Sequence, residues 1–314
     1  MQYRKLGKTN LTVSETGFGA WAIGGESYGT VDKPESLRAL AVAEELGCNF
    51  VDTAAVYGDS EQVIGEFLRG RRDKWLVATK YSGGKDSLRA TLEQQLQRLG
   101  TDVIDLYQIH WVPRADGAQL YEELYRLKRE GKVRFVGVSL YNLNDIDYVI
   151  DHTELDTIQL PCNLLEPAPY LPRQNKIARS GLGVIIRSSL KGGLLSGKYT
   201  HDTVFNDTKD QRSKLSPTEH KTLFDQVEAM HFLEQEIGSL ALAAARYPLS
   251  FAPSATVLLG TKTAAQAQFN FGEVPGGTLS PAILQRIRAV QDQLGLFPPT
   301  WKLWLQTLKN KLKP

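Results

Sequence analysis

The sequence predicts an α/β fold of the (β/α)8 TIM barrel type, with an N-terminal β-hairpin and extra C-terminal helices. From Pro34 onward the chain repeats a unit of one helix and one short apolar strand, and three consecutive strands end at or near Asp52, Lys80 and His110. In a parallel barrel such residues meet at the C-terminal mouth, where barrel enzymes carry their chemistry. The length of 314 residues suits a single domain spanning 1–314, because one barrel takes about 250 residues plus insertions.

The N-terminal residues predict a closure of the barrel and then its first strand. Residues 2–14 alternate short apolar pieces around a Gly-Lys-Thr-Asn turn, which is typical of a small hairpin that covers the base of a barrel. A strand at 15–20 follows, and the glycine-rich segment 17–25 formally matches the G-x-G-x-x-A dinucleotide fingerprint. Further glycines and Pro34 keep the chain irregular where that fingerprint opens a helix. A doubly wound domain is therefore disfavoured.

The repeating units are separated by stop signals. The helices end on or near glycines such as Gly47, Gly100 and Gly181, and glycine is the usual residue just past a helix. Helices are predicted at 34–47, 60–70, 85–99, 117–131, 142–152 and 172–180, and strands at 49–52, 75–79, 103–109, 133–138, 156–161 and 183–187.

The last part of the chain completes the strand count. After a long loop at 188–215, Ser216 caps a helix, Ser239 starts another, and 254–259 is the eighth strand. Right-handed crossovers close eight parallel strands into a barrel, whereas a six-stranded open sheet leaves units over.

Two helices are predicted beyond the eighth strand, at 280–295 and 300–312. In the second, apolar residues from Trp301 to Leu312 recur at helical spacing between lysines, which predicts an amphipathic helix. We expect its apolar face to pack on the barrel and help cover the mouth. A membrane-surface anchor is the alternative.

Composition excludes several classes of protein. A net charge of +2 without a basic stripe gives no footprint for nucleic acid, and no signal peptide or membrane-spanning run is recognised. A cytoplasmic location is therefore expected. Cys48 and Cys162 lie in apolar strand contexts, which favours buried reduced thiols. No His-x-His pair supplies a cation site, which disfavours a metal-dependent barrel hydrolase.

Several motifs resemble those of the aldo-keto reductases, and the likeness runs from Leu6-Gly7 to Asn270. The segment from Asp52 to Gly58 is similar to that family's signature loop, and the strand ends Thr79-Lys80 and Ile109-His110 match its lysine and histidine. Other segments resemble its cofactor contacts: Gly137 to Ser139, Gln159 with Asn163, Gly193 to Tyr199, and Gly260 with Lys262, Gln266 and Asn270. The resemblance implies a nicotinamide-dependent oxidoreductase with a tetrad of Asp52, Tyr57, Lys80 and His110.

The tetrad suits carbonyl reduction on chemical grounds as well. Hydride transfer leaves negative charge on the carbonyl oxygen, so the site must supply a proton there, and the phenol of Tyr57 can donate it. A free phenol has a pKa of about 10, and we expect the Lys80 ammonium to lower it. Asp52 would hold Lys80 charged and in place, and His110 would orient the carbonyl or share the proton. Singly, each residue is also explained by capping or packing; together they favour a site.

The cofactor contacts are expected around the same mouth. Ser139 and Gln159 end barrel strands and can hydrogen-bond a carboxamide, while the glycine-rich segment before Lys198 can approach a pyrophosphate closely. By resemblance, residues from Gly260 onward surround the adenosine end. The expected NADP(H) contacts are Ser139, Gln159, Arg187, Ser188, Leu190, Gly193, Lys198, Gly260, Lys262, Gln266 and Asn270.

Some of these positions depart from the family pattern. Leu140 stands where relatives usually carry asparagine, Ser189 replaces a common proline, and Arg187 stands where some members present a stacking aromatic. Lys262 or Lys198 can pair with a 2′-phosphate, which favours NADPH over NADH. Gln266 stands where some relatives carry arginine, so the preference is expected to be modest.

We therefore expect an NADPH-dependent enzyme that reduces aldehydes or activated ketones, including sugars and other small carbonyls, with Tyr57 as general acid and no metal. A cofactor-binding regulatory or sensor subunit with little turnover is the alternative. A monomer is the default oligomeric state. Pocket walls are expected from Trp21, Tyr28, Trp111 and the segments 200–215 and 296–304.

Overall fold

Eight parallel strands form a closed barrel, and a two-stranded antiparallel hairpin precedes them. The computed structural model describes residues 1–25, 30–114, 117–208 and 210–297. The hairpin strands are β1 (Tyr3–Lys5) and β2 (Thr12–Ser14); the barrel strands are β3 (Thr16–Gly19), β4 (Phe50–Asp52), β5 (Leu76–Tyr81), β6 (Ile104–Ile109), β7 (Val133–Ser139), β8 (Thr157–Pro161), β9 (Gly183–Arg187) and β10 (Ser254–Gly260). The barrel closes between β10 and β3. The predicted fold class is confirmed.

Helices follow the barrel strands in the predicted order. They are α1 (Lys33–Glu45), α2 (Ser60–Phe67), α3 (Leu88–Leu99), α4 (Ala118–Arg129), α5 (Leu143–His152), α6 (Gln174–Ser180), α7 (Pro217–Glu228), α8 (Phe232–Ile237), α9 (Leu240–Leu249), α10 (Ala264–Gln268) and α11 (Pro281–Gln293). Local signals set their ends: Ser216 and Glu219 form a capping box at α7, and Gly100 takes a left-handed conformation after α3.

The structure differs from the predicted elements mainly in the loops. The predicted loop 188–215 contains two 3-10 turns, at Lys191–Ser196 and Gln211–Lys214. Gly192 and Gly193 have positive φ within the first turn, which prevents it from continuing as a regular helix. The helix predicted from 172 begins with a 3-10 turn at Leu171–Arg173.

The hairpin covers the N-terminal end of the barrel, as predicted. Its Leu6, Leu11 and Val13 are buried in one apolar cluster with residues from inside the barrel, including Ala78 and Leu106. The turn fits because Gly7 has a φ of +55°, and a Cβ there would lie 2.2 Å from the backbone nitrogen of Gly183. Only glycine permits this close approach of hairpin and barrel.

Above this apolar layer the barrel interior becomes polar. Side chains alternate between the two faces of a strand, so Ala78 and Lys80 of β5 point inward, as do Leu106 and Gln108 of β6. The register pairs Ala78 with Leu106 and Lys80 with Gln108. The barrel therefore carries an apolar layer below and a polar layer at the mouth.

Some expectations concern residues that lie outside the described part of the chain, namely the 300–312 helix, the pocket residue Tyr28 and the end of the 296–304 segment. The single domain over 1–314 accordingly stays a prediction. Cys48 and Cys162 are free and buried, as predicted. In the described ranges, every helix is too short or too polar to cross a bilayer.

Candidate active site

The centre of the mouth is an ion pair between Lys80 and Asp52. Lys80 is 0% and Asp52 2% exposed. The Lys80 Nζ donates to Asp52 Oδ1 and, at 2.8 Å, to the Thr53 carbonyl oxygen. Such burial of two charges requires that their remaining hydrogen-bonding capacity be satisfied. Strand ends β4 and β5 thus bring together two of the predicted residues.

Two glutamine amides complete the shell of Asp52. The Nε2 atoms of Gln108 and Gln159 donate to Asp52 Oδ2 at 3.1 and 2.9 Å. Asp52 therefore accepts hydrogen bonds from three side chains, which suits an ionised carboxylate. Gln108 was not among the residues predicted for the site.

The loop that carries Tyr57 is anchored close to the same pair. The hydroxyls of Thr53 and Ser60 share a 2.5 Å hydrogen bond across the base of the loop. A Cβ at Gly24 would lie 1.9 Å from the Tyr57 carbonyl oxygen, so glycine lets the two backbones touch. The Lys80 Nζ lies 5.2 Å from the centre of the Tyr57 ring. The phenol and the ammonium are therefore neighbours, as expected.

Burial dominates the acid–base chemistry of both groups. It raises the pKa of Tyr57 well above the ordinary value, and the negative charge of Asp52 adds to the rise. This direction is opposite to the one expected from Lys80. Burial also lowers the pKa of Lys80, while the Asp52 carboxylate opposes that change. At neutral pH Tyr57 therefore holds its proton, which is the state that a general acid needs.

His110 directly follows β6 and faces the Tyr57 ring edge-on at a centre-to-centre distance of 5.8 Å. Burial, assisted by the charges of Lys80 and Arg187, lowers the pKa of His110 to about 3. Its Nδ1 shares a 2.9 Å hydrogen bond with Ser82 Oγ. The imidazole is thus neutral and held in orientation at physiological pH. Ser82 is a second residue that the sequence analysis missed.

Ser139 and Gln159 are opposite each other in the register of β7 and β8. The Ser139 Oγ is buried and has no hydrogen-bond partner among the described residues. Next to them, Arg187 Nη2 donates to the Leu140 carbonyl oxygen at 2.9 Å, and its guanidinium lies 4.5 Å from the centre of the Tyr141 ring. Two of the departures from the family pattern, Leu140 and Arg187, are therefore in contact.

The expected pyrophosphate segment forms a tight turn beside β9. Ser188 has a φ of 60°, and its carbonyl oxygen accepts from Asn163 Nδ2 at 3.0 Å. The Leu190 carbonyl oxygen accepts from Gly193 N at 2.9 Å, while Lys198 is exposed. The turn lies near the barrel mouth, and the Lys198 charge is at its surface.

The expected adenosine segment follows β10, which ends at the exposed Gly260. The Gln266 Oε1 accepts from the Lys262 backbone N–H at 2.7 Å. Asn270 Nδ2 donates to Thr261 Oγ1 at 2.9 Å. Gln266 and Asn270 therefore shape the loop that presents Lys262.

The sequence model of the Aldo/keto reductase family matches residues 15–292 of the chain. The chain belongs to this family. The described site thus has the setting that the sequence motifs implied, namely an aldo/keto reductase barrel mouth.

Individual relatives agree with this assignment over most of the chain. The Aldo-keto reductase YhdN of Bacillus subtilis (strain 168) is 31% identical over 96% of this chain and 99% of its own. The NADH-specific methylglyoxal reductase of Escherichia coli (strain K12) is 32% identical over 63% of this chain and 70% of its own. The solved glycerol dehydrogenase AKR11B4 from Gluconobacter oxydans superimposes with a TM-score of 0.78 at 27% identity, covering 95% of this chain and 98% of that one.

Aldo/keto reductases use nicotinamide cofactors, and the mouth has atoms that fit a carboxamide. In the described part of the chain, several buried polar atoms lack a hydrogen-bond partner, and two of them at the mouth are Ser139 Oγ and Arg187 Nε. Buried polar atoms without partners are costly and rare in native proteins. A carboxamide offers both donors and an acceptor to such atoms. The residues present therefore fit the group.

The missed residues carried a signal that the motifs did not use. Gln108 is two residues before His110 and aligned with Lys80, so strand alternation alone places its side chain at the mouth. Ser82 is two residues after Lys80 and meets His110 from the neighbouring strand end. Both follow from counting inward positions along β5 and β6.

Proposed function

We propose that this aldo/keto reductase uses NADPH to reduce aldehydes or activated ketones, including sugars and other small carbonyls, with Tyr57 as general acid. One observation carries the proposal. The Lys80 ammonium lies 5.2 Å from the centre of the Tyr57 ring while it is bound to the buried carboxylate of Asp52.

The chemistry follows from the protonation states of these groups. A reduced nicotinamide held by Ser139 and Gln159 would supply the hydride. Tyr57, which holds its proton at neutral pH, donates it to the carbonyl oxygen as negative charge develops there. The Lys80 ammonium stabilises the phenolate that forms, and Asp52 keeps that ammonium in place.

His110 and its neighbours would orient the substrate. A neutral imidazole does not compete as an acid, and it can still form a hydrogen bond with the carbonyl oxygen. Trp21 lies 5.8 Å from the Tyr57 ring, and Tyr141 is 57% exposed beside Arg187. These aromatic surfaces favour small or flat carbonyl compounds. The methylglyoxal reductase and glycerol dehydrogenase among the relatives support the same substrate class.

The proposal of NADPH over NADH rests on Lys262. A preference for NADPH requires a cation near the 2′-phosphate, and Lys262 lies in the loop after β10 where the adenosine end is expected. Gln266 gives no second positive charge, and its amide oxygen is bound to the loop backbone. The similar methylglyoxal reductase of Escherichia coli is NADH-specific. The preference is therefore proposed to be modest.

Steady-state assays test the proposal directly. NADPH absorbance would be followed with methylglyoxal, glyceraldehyde, nitrobenzaldehyde and glucose as substrates. Tyr57→Phe should lower kcat by about 10²-fold or more, because general acids contribute about that much, and it should leave the NADPH Kd nearly unchanged. Tyr3→Phe is the matched control, since Tyr3 is half-exposed on the hairpin and donates to the Gly47 carbonyl oxygen. Retained turnover in Tyr57→Phe would contradict the proposed acid.

The regulatory alternative makes a different prediction in the same assay. A sensor subunit would bind NADPH tightly and oxidise it with none of the four carbonyls. The cytoplasmic location and the monomeric state stay predictions. Cell fractionation would test the location, and gel filtration would test the oligomeric state.

A further inference from the structure

The Asp52 carboxylate is held by more side chains than the tetrad supplies. Lys80 occupies Oδ1, while Gln108 and Gln159 both donate to Oδ2, at 3.1 and 2.9 Å. Both glutamines are at most 1% exposed. Gln108 reaches Asp52 from β6, Gln159 from β8 and Lys80 from β5. Side chains from three strands of the barrel therefore converge on one carboxylate.

The two glutamines differ in their other contacts. Gln159 lies in register with Ser139 and is an expected carboxamide contact. The second polar atom of Gln108, Oε1, has no partner among the described residues. A flipped Gln108 amide would place Oε1 against Asp52 Oδ2, and two acceptors repel. The Gln108 N–H is therefore committed to Asp52.

We propose that Gln108 is a positioning residue, whose amide keeps Asp52 ionised and directed at Lys80 while Gln159 serves the cofactor. A buried carboxylate that loses one of its hydrogen-bond donors is shifted towards its neutral form. The nearest proton is that of Lys80, and its transfer to Asp52 would remove the ammonium. Tyr57 would then form a phenolate without a neighbouring cation. This inference rests on the proposed carbonyl reduction.

Removing the Gln108 amide tests the role. Gln108→Leu should lower kcat for methylglyoxal by about ten- to a hundredfold, the effect of losing a hydrogen bond to a charged group. Because Gln108 is not expected to touch substrate, KM and the NADPH Kd should stay within about twofold. A loss of stability with an unchanged kcat would overturn the proposal, since Gln108 would then only fill space.

A carboxyl at the same position gives a test that depends on pH. In Gln108→Glu the introduced group can donate to Asp52 only while protonated, and once ionised it repels Asp52. The ratio of variant to wild-type kcat should therefore fall at least about tenfold between pH 5 and pH 8. A ratio that is constant across this range would overturn the proposal.

The matched control is Gln291, another fully buried glutamine. Its Nε2 donates to the Leu164 carbonyl oxygen at 2.8 Å, and it also bonds Tyr247, away from Asp52. Gln291→Leu and Gln291→Glu should lower the thermal unfolding midpoint, yet leave the pH dependence of kcat like that of the wild type. Comparing the Gln108 variants with the Gln291 variants therefore distinguishes a role in positioning Asp52 from the general effect of replacing a buried glutamine.

A readout without turnover distinguishes this inference from the proposed function. Lysine labelled with ¹³C at Cε reports the ammonium charge by NMR, and Lys80→Met assigns the signal. At pH 7 the Lys80 signal should move towards the neutral amine in Gln108→Leu and stay at the wild-type position in Gln291→Leu. An unmoved signal would sink the inference, whereas a wild type that reduces no carbonyl would sink the proposed function alone.

Discussion

The two halves of the barrel mouth are satisfied in different ways. On the β4–β6 side, Asp52 and Lys80 bind each other and further protein groups, so the bonding of this ion pair is completed by folding. On the β7–β10 side, Ser139 Oγ has no partner among the described residues, and Lys198 is exposed. Substitutions in the first half should therefore change both activity and stability, whereas the second half has polar groups that remain available to bind a ligand. Substitutions on the two sides should separate these effects.

The largest effect is expected for Lys80→Met on the completed side. It leaves the buried Asp52 carboxylate without its counter-ion, which should cost about 3–5 kcal/mol of unfolding free energy and lower kcat by about 10²-fold or more. Chemical denaturation and steady-state kinetics measure the two losses. Adding Tyr57→Phe should reduce kcat little further, because the two residues act as one unit. Additive losses would show that they act separately.

A second substitution sharpens this prediction. Asp52→Asn in the Lys80→Met background removes the unpaired charge, so it should restore much of the stability without restoring turnover. Recovery of both quantities would mean that the ion pair is not required for proton donation.

A smaller and more selective effect is expected for Lys262→Ala on the ligand side. A charge-assisted contact to phosphate contributes about 1.5–3 kcal/mol, so the NADPH Kd should rise roughly ten- to a hundredfold. The NADH Kd and the stability should hardly change, and the NADPH effect should shrink at high salt. Fluorescence titration measures both constants. Lys198→Ala is the comparison, because the loss of a pyrophosphate contact should raise the Kd of NADPH and of NADH equally. Equal rises in Lys262→Ala would exclude a role for Lys262 at the 2′-phosphate.

The smallest effect is expected for Ser139→Ala. One neutral hydrogen bond contributes about 0.5–1.5 kcal/mol, so the NADPH Kd should rise roughly two- to tenfold. The unfolding free energy should not fall, because the hydroxyl has no partner to lose among the described residues. Ser14→Ala is the opposite case, since the Ser14 Oγ donates to the Thr16 carbonyl oxygen at 2.8 Å. It should lose stability and keep cofactor affinity. A destabilised Ser139→Ala with unchanged Kd would remove the distinction between the halves.

The sequence was sufficient to predict the barrel and the meeting of the four tetrad residues at one mouth, because both depend on short-range patterns. Helix and strand periods predicted the eight units, and residues at the ends of successive parallel strands must meet at one mouth. The family resemblance supported the same four residues. The structure agrees to within a few residues at most element boundaries.

Other features depend on contacts that no local pattern encodes. The pKa of Tyr57 was expected to fall, whereas burial raises it, and the depth of a side chain is not visible in a strand-end motif. Gln266 was expected to be a cofactor contact without the positive charge of arginine, and its amide oxygen accepts from the Lys262 backbone N–H. Gln108 was passed over because strand alternation places its side chain at the mouth but does not reveal that it donates to the buried carboxylate of Asp52.

The hairpin under the barrel affects the charge interactions at the mouth. Leu6, Leu11 and Val13 join the apolar layer beneath Lys80 and Asp52, and the Gly7 turn closes against the start of β9. Charge interactions weaken in proportion to the permittivity of the surrounding medium. The first fourteen residues fill the lower end of the barrel with apolar side chains. They thereby lower the permittivity around the ion pair and strengthen its charge interactions. A segment at the opposite end of the barrel thereby helps to set the electric field at the Tyr57 phenol.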